Sequence, residues 1–93
     1  MIVRDGDRFR VQGPLTLRSA GALLARGQQL FVQPVSRVDL AAVTEVDSAA
    51  VALAITWLRE ARAGGRTIRF ENLPPAMAKL ARLYAVADLI PGA

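Results

Sequence analysis

Segments with the two-residue period of a β-strand alternate along this chain with segments of helical period. The strand-like segments are residues 7–13, 35–43 and 66–73, and the helical ones are about 16–29, 48–63 and 75–90. Strands that alternate with helices over short connections favour a sheet with parallel neighbouring strands and helices packed on it. Because 93 residues are enough for one core and too few for two, we expect one α/β domain over residues 1–93.

Several positions carry more specific structural predictions. Residues 35–43 are dense in β-branched and apolar residues, which predicts one central strand buried on both faces. Residues 49–58 are apolar around nearly the whole helix, so this helix should pack on more than one side. Trp57 is expected in the core, with a pocket of a partner protein as the alternative. Tyr84 lies on the apolar stripe of the last helix and is also expected in the core.

The chain contains no cysteine and no histidine. Their absence excludes disulfides, thiol nucleophiles, the usual zinc ligands and the commonest general base. The clustered carboxylates of Asp39, Glu45 and Asp47 have no second catalytic group at a recognisable spacing, and no glycine-rich phosphate loop is present. The sequence therefore predicts a protein without catalytic activity, cofactor or metal.

The basic residues do not form a recognisable binding pattern. Twelve cationic side chains, all but Lys79 arginines, give a net charge of +4. They are interleaved with acids and lack the aromatic spacing of an RNA-binding sheet, which favours an ordinary solvated surface over nucleic-acid binding. The arginines between positions 59 and 69 are interpreted in the same way, because no amphipathic anchor accompanies them for contact with lipid headgroups.

The hydropathy pattern bears on localisation. No apolar run approaches the roughly 20 residues that span a bilayer. The N-terminus changes from apolar to charged within four residues, unlike a secretory signal. We expect a protein of the cytoplasm.

Asp47 and Ser48 stand between a buried strand and the apolar helix. Either side chain can accept hydrogen bonds from the free N–H groups of the first helical turn, as a helix cap does. The same helix end would also stabilise a phosphate on Ser48, or present its hydroxyl to another protein. The residues alone favour the cap and leave the other two roles open.

Residues 38–58, "VDLAAVTEVDSAAVALAITWL", resemble the signature of STAS domains. This family includes bacterial anti-sigma-factor antagonists and regulatory domains of transporters. Its pattern of Asp-Leu, an apolar stretch, Asp-Ser or Asp-Thr and a helix matches Asp39-Leu40 and Asp47-Ser48. The tail at 80–91, "LARLYAVADLIP", is similar to one branch, the small STAS subunits of the Mla phospholipid-transporting ABC complexes of Gram-negative bacteria.

The resemblance implies a STAS-like α/β fold, in which a small mixed sheet of about four strands packs against about three helices. It also implies a non-catalytic subunit that binds the transporter's ATPase subunit, in complex with the permease, and reaches the inner membrane only through that complex. In that family the hydroxyl residue, here Ser48, faces the ATPase. We expect partner contacts at the start of the helix that carries the signature, at Ser48, Ala49, Ala50 and Ala52. By extrapolation from position, we expect a second contact on the last helix, at Lys79, Arg82 and Leu83.

One departure from the family pattern separates the alternatives. Ala49-Ala50 stands where relatives commonly have Gly-Gly or Ser-Gly. The small size is kept but backbone freedom is lost, which favours a docking surface over a loop recognised by a kinase. An anti-sigma-factor antagonist switched by phosphorylation of Ser48 is the alternative, and self-association of the isolated subunit stays open.

Overall fold

The computed structural model describes residues 1–93 and contains a four-stranded sheet, a two-stranded sheet and three helices. The elements are β1 (Ile2–Asp5), β2 (Arg8–Val11), β3 (Gly13–Leu15), α1 (Leu17–Leu30), β4 (Val35–Asp39), β5 (Val43–Val46), α2 (Ser48–Ala63), β6 (Thr67–Glu71) and α3 (Pro75–Leu83), followed by a 3₁₀ turn (Ala87–Leu89). The larger sheet has the order β1-β2-β4-β6, antiparallel between β1 and β2 and parallel elsewhere. The predicted α/β class, with a mixed sheet of four strands and three helices, is confirmed.

The first strand was not predicted from the sequence. Residues 2–5 pair with β2 in an antiparallel hairpin that matches Ile2 with Val11 and Asp5 with Arg8. Gly6 supplies the left-handed conformation that the two-residue turn requires, with φ of 64°. Four residues are too few to show the two-residue period of a strand, so β1 is recognised only by its pairing with β2.

The prediction of one central strand over residues 35–43 is wrong. The chain leaves the larger sheet after Asp39, residues 40–42 form a connection, and Val43 begins β5, which pairs with β3 instead. The Asp39 carboxylate accepts hydrogen bonds from the backbone N–H of Ala41 at 2.9 Å and from Asn72 Nδ2 at 3.0 Å, which fixes the turn. Strand β4 is also buried on only one face, because Val35 is 49% exposed and helices cover one side of the sheet.

The outer face of the sheet is covered by ion pairs. The Glu71 carboxylate forms ion pairs with two arginines, with its oxygens 3.0 Å from Arg8 Nε and 2.6 Å from Arg37 Nη2. Arg37 also pairs with Asp7 at 3.4 Å, and further along the sheet Arg10 pairs with Asp5. These four pairs are all the ion pairs in the chain, so its charge compensation is confined to this face.

The core lies between the sheet and the helices. Phe31 joins β2 to α2 by edge-to-face contacts, with ring centroids 5.2 Å from Phe9 and 5.1 Å from Trp57. The predicted burial of Trp57 is confirmed, since the residue is 3% exposed. The predicted burial of Tyr84 is wrong, since it is 51% exposed. Helix α3 ends at Leu83, so Tyr84 lies just beyond the helix, at the start of a turn that continues through Ala85 with φ of 57°.

The turn after β4 predicts a pH dependence of stability. The hydrogen bonds from Asn72 and Ala41, followed by the nearby charges of Arg8 and Arg10, hold the pKa of Asp39 below its ordinary value. A lowered pKa in the folded state means that the stabilisation is complete above the unfolded pKa, about 4, and is lost as pH falls further. We therefore expect Asp39→Asn to reduce the loss of stability between about pH 5 and pH 3, measured by urea unfolding. An unchanged pH profile would contradict this role.

Candidate docking groove

An open apolar groove of about 760 Å³ lies between the N-terminal halves of α1 and α2. Leucines, alanines, a glycine and one tyrosine make up most of its lining. Its lining is Leu17, Ala20, Gly21 and Leu24 from α1, Asp47, Ser48, Ala49, Ala52, Leu53 and Thr56 at α2, and Tyr84 after α3. The expectation that α2 packs on more than one side is confirmed, because the helix contacts α1, α3 and β6, although its face at Ala52 is exposed.

The groove presents apolar surface that a monomeric domain would normally bury. Leu17 at the start of α1 is 81% exposed, and Tyr84 after α3 is 51% exposed. The small residues of the lining let another backbone approach closely, and contiguous exposed apolar surface with a polar rim is typical of a protein interaction site. The arrangement is suited to binding a protruding apolar element.

Asp47 holds the starts of both helices at the mouth of the groove. Its Oδ1 accepts the N–H of Ala49, in the first turn of α2, at 2.8 Å. Its Oδ2 accepts the N–H of Leu17, the first residue of α1, at 3.0 Å. Asp47 is thus the N-cap of α2 and a link between the two helices that line the groove.

Replacing this carboxylate should destabilise the fold. Asp47→Ala removes two hydrogen bonds to helix N-termini, and we expect a loss of about 1–2 kcal/mol in the free energy of unfolding. Urea denaturation followed by circular dichroism measures it. Asp88→Ala is the matched control, because Asp88 is an exposed aspartate without a side-chain hydrogen bond. Equal effects of the two substitutions would show that Asp47 has no special role.

Ser48 is the first residue of α2 and is exposed. Its hydroxyl makes no hydrogen bond within the chain, whereas the carboxylate beside it accepts two. The cap is therefore Asp47, and the serine hydroxyl is free to meet another molecule. No group of three or more acidic side chains lies close enough together to hold a metal ion.

The structure separates the predicted contact residues into three groups. Ser48, Ala49 and Ala52 line the groove together. Ala50 needs correction, because it is 1% exposed and faces the core, where no partner can reach it. Residues 79, 82 and 83 are exposed on α3 outside the groove lining, next to Tyr84.

Sequence reasoning missed the α1 side of the groove and Tyr84. Leu17, Ala20, Gly21 and Leu24 have the spacing of one helical face, but the same spacing describes a buried face. The only sequence feature that distinguishes these groove residues from core residues is the run of small side chains at positions 20–22, and this feature is a weak signal. Tyr84 lines the groove from just beyond the end of α3, before the left-handed residue Ala85, and no sequence signal predicts where that helix ends.

A family model described as "Mlab, STAS domain" matches residues 2–91. The chain belongs to this MlaB-type STAS family. The match extends over all six strands and three helices, so the groove and the Asp47-Ser48 step lie within it. No curated protein matched the chain significantly.

Solved structures share the fold of this MlaB-type domain. The anti-sigma factor antagonist SpoIIAA in its unphosphorylated form has a TM-score of 0.71 at 16% identity, with 97% of this chain and 84% of that chain covered. The phosphorylated form of SpoIIAA, a Bacillus cell fate determinant, has a TM-score of 0.68 at 17% identity, with 97% and 86% covered. A crystal structure of Mglu has a TM-score of 0.64 at 24% identity, with 81% of this chain but only 20% of Mglu covered.

No helix of the domain is both long and apolar enough to cross a membrane.

Proposed function

We propose that this MlaB-type domain is a non-catalytic subunit that binds the ATPase subunit of an Mla-type phospholipid ABC transporter and stabilises or regulates it. In this role it acts at the cytoplasmic face of the inner membrane, in complex with the permease, and supports the lipid asymmetry of the outer membrane. The observation that carries the proposal is an exposed, unbonded Ser48 hydroxyl at the mouth of an apolar groove, in a chain whose family match spans residues 2–91.

The groove favours docking over chemistry. Its one titratable carboxylate is Asp47, and both oxygens of that group are held by backbone N–H groups. The remaining lining offers hydroxyl groups and apolar carbon, with no base to activate a nucleophile. Such a surface supports shape complementarity with another protein, in which Ser48, Ala49 and Ala52 meet the partner directly.

A phosphorylation switch is the second candidate. The structural likeness to both forms of SpoIIAA and the exposure of Ser48 favour it. Against it, Asp47 already occupies the α2 N–H group that would bind a phosphate, and its own charge would repel one. Docking without modification is therefore the better account of the local geometry.

Co-purification of the tagged protein from its native host tests both candidates in one experiment. Mass spectrometry identifies the bound proteins and the state of the Ser48 peptide. We expect an ABC ATPase and its permease, with Ser48 unmodified. A serine kinase as partner, or phosphate on Ser48, would overturn the transporter proposal and support the switch.

A further inference from the structure

The unpaired positive charge of this protein lies on its helices. Helices α1, α2 and α3 carry two cations each, and only α2 carries an acid, Glu60. That carboxylate accepts hydrogen bonds from Gln28 Nε2 at 3.0 and 2.8 Å. None of the six helical cations forms an ion pair, whereas every ion pair of the chain lies at the outer face of the sheet. The helical layer therefore presents a net positive surface, and the sheet a nearly neutral one.

Two of these cations are close in the chain to residues that line the groove. Arg59 follows Thr56 by three residues on α2, so it continues the line of groove residues by one helical turn. Arg82 lies in the last turn of α3, two residues before Tyr84, which lines the groove. Both are exposed. We therefore expect positive charge at the edge of the apolar groove, on α2 and on α3.

The shape of the groove selects among the partners that could meet this surface. A channel between two adjacent helices whose lining contains several small residues accepts the ridge of a third helix, as in ridge-into-groove packing. A flat bilayer surface cannot fill a concave channel. A second copy of this domain would bring two positive helical layers together, which is unfavourable.

We propose that the groove binds an amphipathic helix of the partner protein, with an apolar ridge in the groove and acidic side chains facing Arg59 and Arg82. This inference rests on the proposed docking function and adds the chemistry of the segment that docks. Opposite charge at the rim accelerates association and fixes the orientation of the docked helix.

The test is the affinity of the purified ATPase subunit for the domain, measured by biolayer interferometry from about 50 to 500 mM NaCl. Arg59→Glu combined with Arg82→Glu should weaken binding on the order of tenfold at low salt and remove most of its salt dependence. The control is Arg69→Glu combined with Arg4→Glu, which makes the same change in net charge on strands of the sheet. We expect the control to bind like the wild type.

The outcomes distinguish this inference from the function on which it rests. Failure of the wild-type domain to bind the ATPase subunit would overturn the proposed function. If the wild-type domain binds the ATPase subunit and both double variants bind it with the same affinity, only the proposal of an acidic partner helix would be overturned. The domain can also be sedimented with vesicles of anionic phospholipid. If the Arg59→Glu, Arg82→Glu variant no longer sedimented with the vesicles but still bound the ATPase subunit, the two charges would belong to a membrane-binding surface instead.

Discussion

Ser48→Arg should abolish the complex with the ATPase subunit and leave the isolated domain folded. Ser48 is exposed and its hydroxyl has no hydrogen-bond partner in the chain, so its replacement removes no internal side-chain hydrogen bond. The long cationic side chain would stand at the mouth of the groove, where it blocks access and adds charge next to apolar surface. A cost of several kcal/mol corresponds to a loss of affinity of about 100-fold or more.

Two further variants give this experiment its controls. Ala63→Arg places the same side chain on the same helix at its exposed C-terminal end, where positive charge is favourable, and should bind like the wild type. Ser48→Ala should also bind, because docking needs a small residue and not a hydroxyl. Co-purification and circular dichroism are the measurements. Wild-type recovery of the complex with Ser48→Arg would remove Ser48 from the interface.

The sequence predicted the part of the site that local chemistry determines. Asp47-Ser48 precedes an apolar helix, and that spacing alone places a cap and an exposed hydroxyl at the helix start. It did not reveal that the second oxygen of Asp47 binds the start of α1, thirty residues earlier in the chain. Such a bond depends on how the two helices are brought together by the sheet, which no local pattern encodes.

The errors in the predicted strands have a similar origin. Residues 35–43 form a continuous apolar pattern, but the pairing partners change after Asp39 from β2 and β6 to β3. The missed strands β1 and β3 are four and three residues long, too short to establish a period. The exposure of Tyr84 has a related cause. An apolar stripe indicates that a surface will be covered, but it does not indicate whether the same chain or another molecule covers it.

Gly27→Ala should destabilise the domain strongly, although alanine is the better helix former. A Cβ at position 27 would lie 2.6 Å from Cε2 and 2.8 Å from Cζ2 of Trp57, and closer still to Nε1. The indole cannot move away freely, because it is 3% exposed, packs against Phe31 and donates from Nε1 to the Leu24 carbonyl at 3.4 Å. We expect a loss of roughly 1–3 kcal/mol from overpacking. Urea unfolding measures it, and tryptophan fluorescence reports the displaced indole.

A second glycine of α1 provides a control that separates the effect of helix propensity from the effect of the indole contact. Nothing lies within 4 Å of a Cβ built at Gly21, so Gly21→Ala should stabilise the domain by about 0.5–1 kcal/mol. In a Trp57→Leu background no ring atoms remain to meet the new methyl group, and Gly27→Ala should then cost at least about 1 kcal/mol less. If Gly27→Ala were as destabilising beside leucine as beside Trp57, its effect would come from the backbone and not from the indole contact. The close approach of α1 and α2 through Gly27 and Trp57 lies within one helical turn of the groove residues Leu24 and Thr56, so the same contact that stabilises the core sets the separation of the two helices that line the groove.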